Sequence, residues 1–417
     1  MPIRFVYVTD RDITRGMTLM FEYEKKPQRR LEEYSLTKMN EICIPAHIWT
    51  ELTDNYTQEE LTDHLSNIIS TLPFPYAKYT PQDVKRDWLD IKHDVLNPIE
   101  SEWGLPRVSV KSTTYQGRHL YFAPNNKGLK VSNQFVEPTR CEAGHIQYPS
   151  PIRQWTREGM SSKRSFLRPL WTLMKPTQGV DSRVLLSCIA LSGYVASQFK
   201  PALAKGLYDF FGAKRVLDFS AGWGDRLVGF LASGAESYVG IDPNTKIHEP
   251  YQRIVDYCET DKSTRFIRSP AEDADLSGLK VDFVFTSPPY FDTERYSEEP
   301  TQSWKRYKRL DDWLNIFLFP VLRKSWDCLE DGGRIAINIS DKVKGDVKIC
   351  QPMLDYMESL GATYEGVIGY RISKRPGSNI STLDELSNME IFCEPIFIWS
   401  KGVAPEPKWM PDNFFGV

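Results

Sequence analysis

Apolar residues in the second half of the chain gather into short runs separated by stretches of helical period, the signature of strands alternating with helices. Strand-length runs cover residues 215–219, 237–242, 265–267, 281–286 and 334–339, and two more, 366–372 and 391–399, end the series. Helical spacing marks the segment from Arg226 to Gly234, the amphipathic residues 312–328, closed by Glu330-Asp-Gly-Gly333, and residues 347–359. This alternation predicts an α/β fold built on a doubly wound, mostly parallel sheet of seven strands. The last two strands have no apolar helix between them.

The first half reads differently. Residues 1–150 predict an α+β domain of their own, with strand-like runs at Phe5-Val-Tyr-Val-Thr9, Arg107-Val-Ser-Val-Lys111 and His119-Leu-Tyr-Phe122. Thr57-Gln-Glu-Glu60 is a capping box opening a helix towards Ser70. Thr80-Pro81 opens another, with Val84, Trp88, Ile91 and Val95 at helical spacing. Residues 151–197 form a basic and aromatic connector that ends in an apolar helix within 182–198. A helix over 199–211, with Pro201 in its first turn, begins the third unit, residues 198–417.

Composition narrows the classes. At ~100–200 residues per domain, 417 residues allow two or three domains with ample core. With 12% aromatic and 26% charged residues the chain is not disordered, and no apolar run approaches the ~20 residues of a membrane helix. The first ten residues lack the basic and apolar regions of a secretion signal. Seven cysteines without Cys-x-x-Cys spacing predict a reducing compartment, the cytoplasm, for a protein of bacterial, phage or mobile-element origin. Cys141 and His145 stand four apart, but no second pair at zinc spacing accompanies them and the histidines are scattered, so no metal is expected.

The candidate chemistry starts at the run from Val281 to Thr286, which stops at Ser287-Pro288-Pro289-Tyr290. Two prolines lack ladder N–H groups and fix φ, so the strand must end in a rigid extended turn. The carboxyl ends of strands are where open α/β sheets hold ligands. This turn offers a hydroxyl (Ser287), an outward carbonyl (Pro288) and an aromatic face (Tyr290), suited to a flat heterocycle bearing an amino group. Upstream, Arg215-Val-Leu-Asp-Phe-Ser-Ala-Gly-Trp-Gly-Asp225 runs from strand to glycine turn to helix, the arrangement that cradles a cofactor. Gly222 and Gly224 allow close backbone approach, Asp218 can meet a cationic amine, and Asp242, at the tip of the next strand, suits a ribose diol. Glu272 or Asp273, after the third strand, suits an adenine amine.

These two stretches resemble motifs I and IV of the class I S-adenosylmethionine-dependent amino-methyltransferases that act on DNA bases, whose fourth motif is Asp/Asn/Ser-Pro-Pro-Tyr/Phe. The resemblance covers about residues 198–401 and implies a Rossmann-like sheet closed by an antiparallel hairpin. It also implies S-adenosylmethionine as cofactor, contacted by Asp218, Gly222, Gly224, Asp242 and Glu272 or Asp273. Ser220 stands where many members have the first glycine. Phe199 and Pro201 match the family's motif X, which helps hold the methionine end of the cofactor; core packing is the alternative for Phe199. The implied reaction is direct transfer to an exocyclic amine, N4 of cytosine ahead of N6 of adenine. Carbon-5 methylation needs a cysteine in Pro-Cys, and no cysteine here follows a proline.

The net charge of −3 does not announce a nucleic-acid binder, but its distribution offers two patches. Arg153, Arg157, Lys163, Arg164 and Arg168 are interleaved with Trp155, Phe166 and Trp171, and Lys305, Arg306, Lys308 and Arg309 surround Trp304 and Tyr307. Basic residues among aromatics suit a groove that tracks a nucleic-acid backbone and stacks bases; a solvated charged face is the alternative for each. The partner so implied is DNA, a duplex with its target base flipped out or a single strand. Only the 62 residues 225–286 separate Gly224 from Ser287, too few for a recognition domain, so target reading is expected of residues 1–180 and the loop 291–309. Rival readings are an RNA or glutamine amino-methyltransferase and a scaffold that keeps the fold without catalysis.

Overall fold

A computed structural model describes residues 29–100, 120–156, 164–174, 177–341, 347–372 and 392–408. The expected strands at residues 5–9 and 107–111 lie outside them. The first elements are β1 (Thr37–Lys38), β2 (Glu41–Pro45), α1 (Ala46–Asn55), α2 (Gln58–Ile69), α3 (Pro81–Lys92), β3 (Ile99–Glu100), β4 (Leu120–Phe122), α4 (Leu129–Cys141) and β5 (Gly144–His145). Next come α5 (Pro151–Thr156), α6 (Arg164–Pro169), β6 (Gly179–Asp181), α7 (Ser182–Ser192) and α8 (Pro201–Phe211). The second half holds β7 (Arg215–Asp218), α9 (Asp225–Ala232), β8 (Ser237–Ile241), α10 (His248–Cys258), β9 (Ser263–Ile267), β10 (Val281–Thr286), β11 (Glu294–Arg295), α11 (Ser303–Arg306) and α12 (Leu310–Asp312). It closes with α13 (Phe319–Cys328), β12 (Leu329–Asn338), α14 (Cys350–Ser359), β13 (Thr363–Ile372) and β14 (Phe392–Ser400).

Side chains of a strand alternate between the two faces of its sheet, and here both faces are apolar. Phe283 and Phe285 of β10 enter the core on one side and Val284 the core on the other; in β14, Ile396 and Ile398 part from Phe397 and Trp399 in the same way. The sheet order is β3-β4-β13-β14-β12-β10-β7-β8-β9. Neighbours from β12 to β9 are parallel, and β14 is inserted antiparallel between β12 and β13. This is a doubly wound, Rossmann-like sheet that ends in an antiparallel hairpin, as the sequence pattern predicts. The chain winds outward through β7, β8 and β9, then returns to β10 on the other side of β7. The crevice between the carboxyl ends of β7 and β10 is therefore the topological switch point, the place such sheets offer a ligand.

Two details of the sheet region differ from the sequence pattern. Glu330–Gly333 does not separate helix from strand: β12 begins at Leu329 and takes these residues in, with Gly332 at φ +81°. The helix before it is continuous over residues 310–328 but widens to a π turn at residues 313–318, where the Phe319 N–H reaches Leu314 O. Pro320 follows and donates no bond, which the wider turn accommodates.

The described residues of the N-terminal half divide between two apolar cores. The predicted capping box forms at Thr57 with Glu60, and the predicted helix start at Thr80-Pro81 forms too, with a capping box from Thr80 to Asp83 that the sequence reading did not name. The helices they open nevertheless belong to different cores. Residues 34–69, with α1 and α2, share an apolar core with Trp155, Phe166, Leu185 and Ile189 of the connector. Residues 84–91 and 120–143 pack instead into the main core with α8, α9 and α10. There β4 lies parallel to β13 and β3 antiparallel to β4, which extends the seven predicted strands to nine. Apolar surface far apart in sequence sets these divisions, and no linker composition marks them.

Phe122, fully buried on β4, meets Phe210 of α8 edge-on at 6.1 Å. Phe122→Ala is expected to lower stability by about 3–5 kcal/mol in urea unfolding. A loss below about 1 kcal/mol would mark β4 as an appendage rather than part of the central sheet.

Candidate active site

The loop after β7 is shaped by a buried carboxylate. Asp218 is fully buried, and Arg226, the second residue of α9, donates from Nε to its Oδ2 at 2.8 Å and from Nη2 to its Oδ1 at 3.3 Å. The Tyr238 hydroxyl of β8 and the Thr286 hydroxyl of β10 each donate to it at 2.8 Å, and Ser220 N–H donates at 3.2 Å. Arg226 also donates to the Ser220 carbonyl. Asp218 is the residue expected to meet a cationic amine. Its oxygens are taken up by protein donors, and the cation it meets is Arg226. Ser220 at the glycine position is accommodated because Asp218 and Arg226 hold both its backbone groups.

The ligand-facing part of the loop comes next. Ala221 N–H bonds Ile241 O at 2.9 Å, tying the loop to β8. Gly222 and Gly224 have φ of +60° and +80°. A Cβ at Gly224 would strike Ile254 Cδ1 at 2.9 Å, whereas one at Gly222 would meet nothing nearer than Ser220 O at 3.6 Å. Gly224 is thus needed for packing, and Gly222 leaves open space above its backbone. Asp242 follows β8 and accepts from Gly222 N–H and Asn244 N–H, both at 2.9 Å. Burial pushes its carboxyl up to about 7, against those two bonds. A half-buried carboxylate with lone pairs to spare, beside an open glycine backbone, fits a ribose-bearing cofactor.

Ser287 and Tyr290 are half-buried and Pro288 is buried. A hydrogen bond links the Ser287 and Tyr290 hydroxyls, and burial pushes the Tyr290 phenol well above its usual range. The turn is clamped at both ends. Phe291, at φ +58°, donates from its N–H to Pro289 O at 2.9 Å, Tyr290 N–H reaches Glu294 Oε2 at 3.1 Å, and Thr293 N–H reaches Tyr290 O at 3.3 Å. A left-handed aromatic residue costs of order 1–3 kcal/mol; burial of Phe291 against Trp313 helps hold it. Phe199 is half-buried beside this turn's strand, at 5.4 Å from Phe285 and 5.8 Å from Tyr370, with the Arg226 guanidinium 5.3 Å over its ring. Pro201 is buried at the first position of α8.

Other expected site residues find protein partners. Glu272 Oε1 accepts from the Tyr307 hydroxyl at 2.6 Å and faces Arg306 at 2.8 Å, while Arg306 also donates to Asp273 at 2.6 Å. Burial raises the Glu272 carboxyl, against the Tyr307 bond and the Arg306 charge. Arg306 therefore braces the loop 291–309 against the end of β9 and does not stand ready for a phosphate. Lys305 pairs with Glu298 at 2.7 Å; Lys308 and Arg309 are exposed. In the connector, Arg153 and Arg168 are exposed, but Trp155 and Phe166 are buried and Trp171 stacks on Trp49 at 5.2 Å, so these aromatics hold the small core together rather than meet bases. Arg157 and Lys163 lie outside the described residues, as does the Arg164 side chain.

Sequence reading missed what the N-terminal half brings to the site. Ser132 of α4 donates to Asp225 Oδ1 at 2.6 Å beneath the glycine loop, and burial pushes the Asp225 carboxyl up to about 7. β5 pairs antiparallel with β11, Gly144 opposite Arg295 and His145 opposite Glu294. Trp223 of the glycine loop meets Tyr296 edge-on at 5.6 Å. The available signal was Arg226, a lone cation in an otherwise apolar helical run. Among the described residues, no helix is long and apolar enough to cross a membrane.

No family model and no curated protein matches the chain. Among solved structures, it is similar to TrmN from Thermus thermophilus, at 16% identity over 49% of this chain and 49% of that one, with a TM-score of 0.33. It is also similar to a methyltransferase from Pyrococcus furiosus, at 14% identity over 51% of this chain and 90% of that one (TM-score 0.31). A third is precorrin-6y C5,15-methyltransferase from Geobacter metallireducens, at 11% identity over 50% of this chain and 91% of that one (TM-score 0.33). The match spans about half the length of TrmN.

Removing one member of a buried ion pair strands the other. Arg226→Met is expected to cost about 3–5 kcal/mol in urea unfolding. Adding Asp218→Asn, which keeps an acceptor for Thr286 and Ser220 without the charge, should restore most of that loss. A double variant no better than the single one would contradict the pairing as the source.

Proposed function

We propose that the chain is an S-adenosylmethionine-dependent methyltransferase acting on an exocyclic amine of a DNA base, N4 of cytosine ahead of N6 of adenine. The observation that carries this reading is the meeting of two motifs at one crevice. The Ser287-Pro288-Pro289-Tyr290 turn leaves β10 directly across the Thr286–Asp218 hydrogen bond from the Gly222 loop. A turn that can accept from an amine and a loop that can cradle a nucleoside thus flank the same space at the switch point.

S-adenosylmethionine, when bound, supplies an electrophilic sulfonium methyl whose S–C bonding pair stays with sulfur on transfer. Gly222 offers its bare backbone to the cofactor, and Asp242 accepts from ribose hydroxyls. An exocyclic amine is a poor nucleophile because its lone pair is delocalised into the ring. The Ser287 hydroxyl and the Pro288 carbonyl, accepting its hydrogens, favour a tetrahedral nitrogen with that lone pair released, and they act from fixed positions. Tyr290 gives the base a face to stack on once it has left the helix.

Expression in a host without DNA methylation, followed by modification-sensitive long-read sequencing, tests the reading. A recurring motif carrying N4-methylcytosine or N6-methyladenine is the expected result. Unmodified DNA from cells whose purified protein binds S-adenosylmethionine would overturn the DNA assignment and leave RNA as the substrate to assay. Tyr290→Ala should abolish turnover with cofactor affinity nearly intact.

The state of Asp242 adds a pH dependence. With its carboxyl near 7 it is largely neutral at pH 6 and ionised at pH 8, and only the ionised form accepts fully from a diol. Cofactor affinity by calorimetry should rise about tenfold between pH 6 and pH 8. Asp242→Asn should bind weakly with a flat profile. A wild-type profile that is flat, or that falls with pH, would remove Asp242 from the cofactor site.

A further inference from the structure

One surface beside the Ser287–Tyr290 turn has no part in the reading above. After β5 the chain makes a tight turn in which His145 N–H bonds Tyr148 O at 2.9 Å and Tyr148 N–H bonds His145 O at 3.2 Å. Ile146, Gln147 and Tyr148 project from it, and Ile146 and Tyr148 remain 39% and 42% exposed. The turn is fastened to the catalytic loop. Ile146 N–H donates to Thr293 O at 3.3 Å, and Thr293 N–H in turn donates to Tyr290 O at 3.3 Å. A short bonded path therefore runs from the proposed base-stacking residue to an apolar tip facing solvent.

The other strand of this ribbon carries charge. Arg295, opposite Gly144 in the ladder, lies with its guanidinium 4.8 Å from the Trp304 ring centroid, and Lys305 and Lys308 lie at 4.4 and 5.1 Å from the same centroid. The indole is anchored by its N–H on Ser297 O at 3.1 Å. One aromatic ring thus gathers three cations, with the Glu298 carboxylate paired to Lys305. Cations gathered this way suit adjacent backbone phosphates, and an apolar or amide tip of this size suits the gap between stacked bases.

We propose that the β5–β11 ribbon opens duplex DNA for this site: Ile146, Gln147 and Tyr148 enter the stack where the target base has left, and Arg295, Lys305 and Lys308 hold the adjoining phosphates. This rests on the base-methylation reading. Extruding a base costs unstacking free energy, and a filler on the enzyme offsets that cost only when the substrate is a duplex. A single strand has little stacking to break. The ribbon's contribution is therefore visible as a ratio of duplex to single-strand rate.

The test compares the wild type with Ile146→Gly/Tyr148→Gly, using labelled S-adenosylmethionine on native and heat-denatured genomic DNA from a methylation-free host. The duplex-to-single-strand rate ratio is expected to fall about tenfold in the variant. A ratio unchanged, whether or not the total rate falls, would overturn the proposal, because a merely structural role lowers both rates together. A wild type that labels only denatured DNA would also overturn it while leaving base methylation standing. A wild type that labels neither form would instead sink the base-methylation reading itself, and needs no variant to show it. Lys308→Gln should reduce the slope of log affinity for duplex DNA against log salt by about 0.9; an unchanged slope would remove the phosphate contact.

Discussion

Burying Asp218 and Arg226 together is costly in desolvation, and a pair of well-packed apolar residues of similar volume would often serve stability as well or better. What an apolar pair would not supply is direction. The carboxylate collects donors from β7's own loop, from β8, from β10 and from α9, so four elements converge on one point with their registers fixed. The glycine loop takes its path from this point, since both backbone groups of Ser220 are held there. Asp242 is positioned at one remove, through Gly222, and the Ser287–Tyr290 turn starts one residue beyond the Thr286 that binds the same carboxylate. The spacing between proposed cofactor and proposed base is thus set beneath the site, by residues that touch neither.

A second layer of constraint comes from outside the sheet. Loop 291–309 is pinned by Tyr307 and Arg306 to Glu272 and Asp273, by Glu299 to Thr245, and by β11 to β5. Each anchor comes from a different part of the chain. Together they turn a long connection, which would otherwise sweep across the carboxyl edge, into a wall of the crevice. The same anchors explain why charges that look available in sequence are not. Arg306 stands next to Lys305 and Lys308 in the chain yet works as a brace.

Sheet strands were legible because each residue answers to a local rule. In Val281–Thr286 successive side chains feed opposite cores, and two prolines end the strand without help from elsewhere. The capping box at Thr57 and the proline-led helix start at Thr80-Pro81 were legible for the same reason. What could not be read was anything decided by a distant partner. Asp218 sits at a strand tip as a cofactor ligand would, and only the fold brings Arg226, Tyr238 and Thr286 onto it. Trp155 and Phe166 lie among arginines and lysines, and their burial is settled by apolar residues of segment 34–69. The division of the N-terminal half followed the same rule: α2 and α3 are neighbours in sequence, each with a well-formed start, yet belong to different cores.

The pairing of β4 with β13 sets an order on how the protein can be made. Leu120–Phe122 leaves the ribosome more than half a chain before Thr363–Ile372, and β13 in turn needs β14, the last strand of the sheet, to join it to β12. At ~5–20 residues per second of synthesis, Phe122 waits on the order of tens of seconds for its neighbour. Helices α3 and α4 find α9 well before then and can shelter part of that surface. Of its two edges, β3 can pair with one, and the other has no partner until β13 is made. Completion of the central sheet and enclosure of the N-terminal segment are therefore one late event, and a nascent chain stalled before residue 363 would carry an apolar strand with its β13-facing edge open.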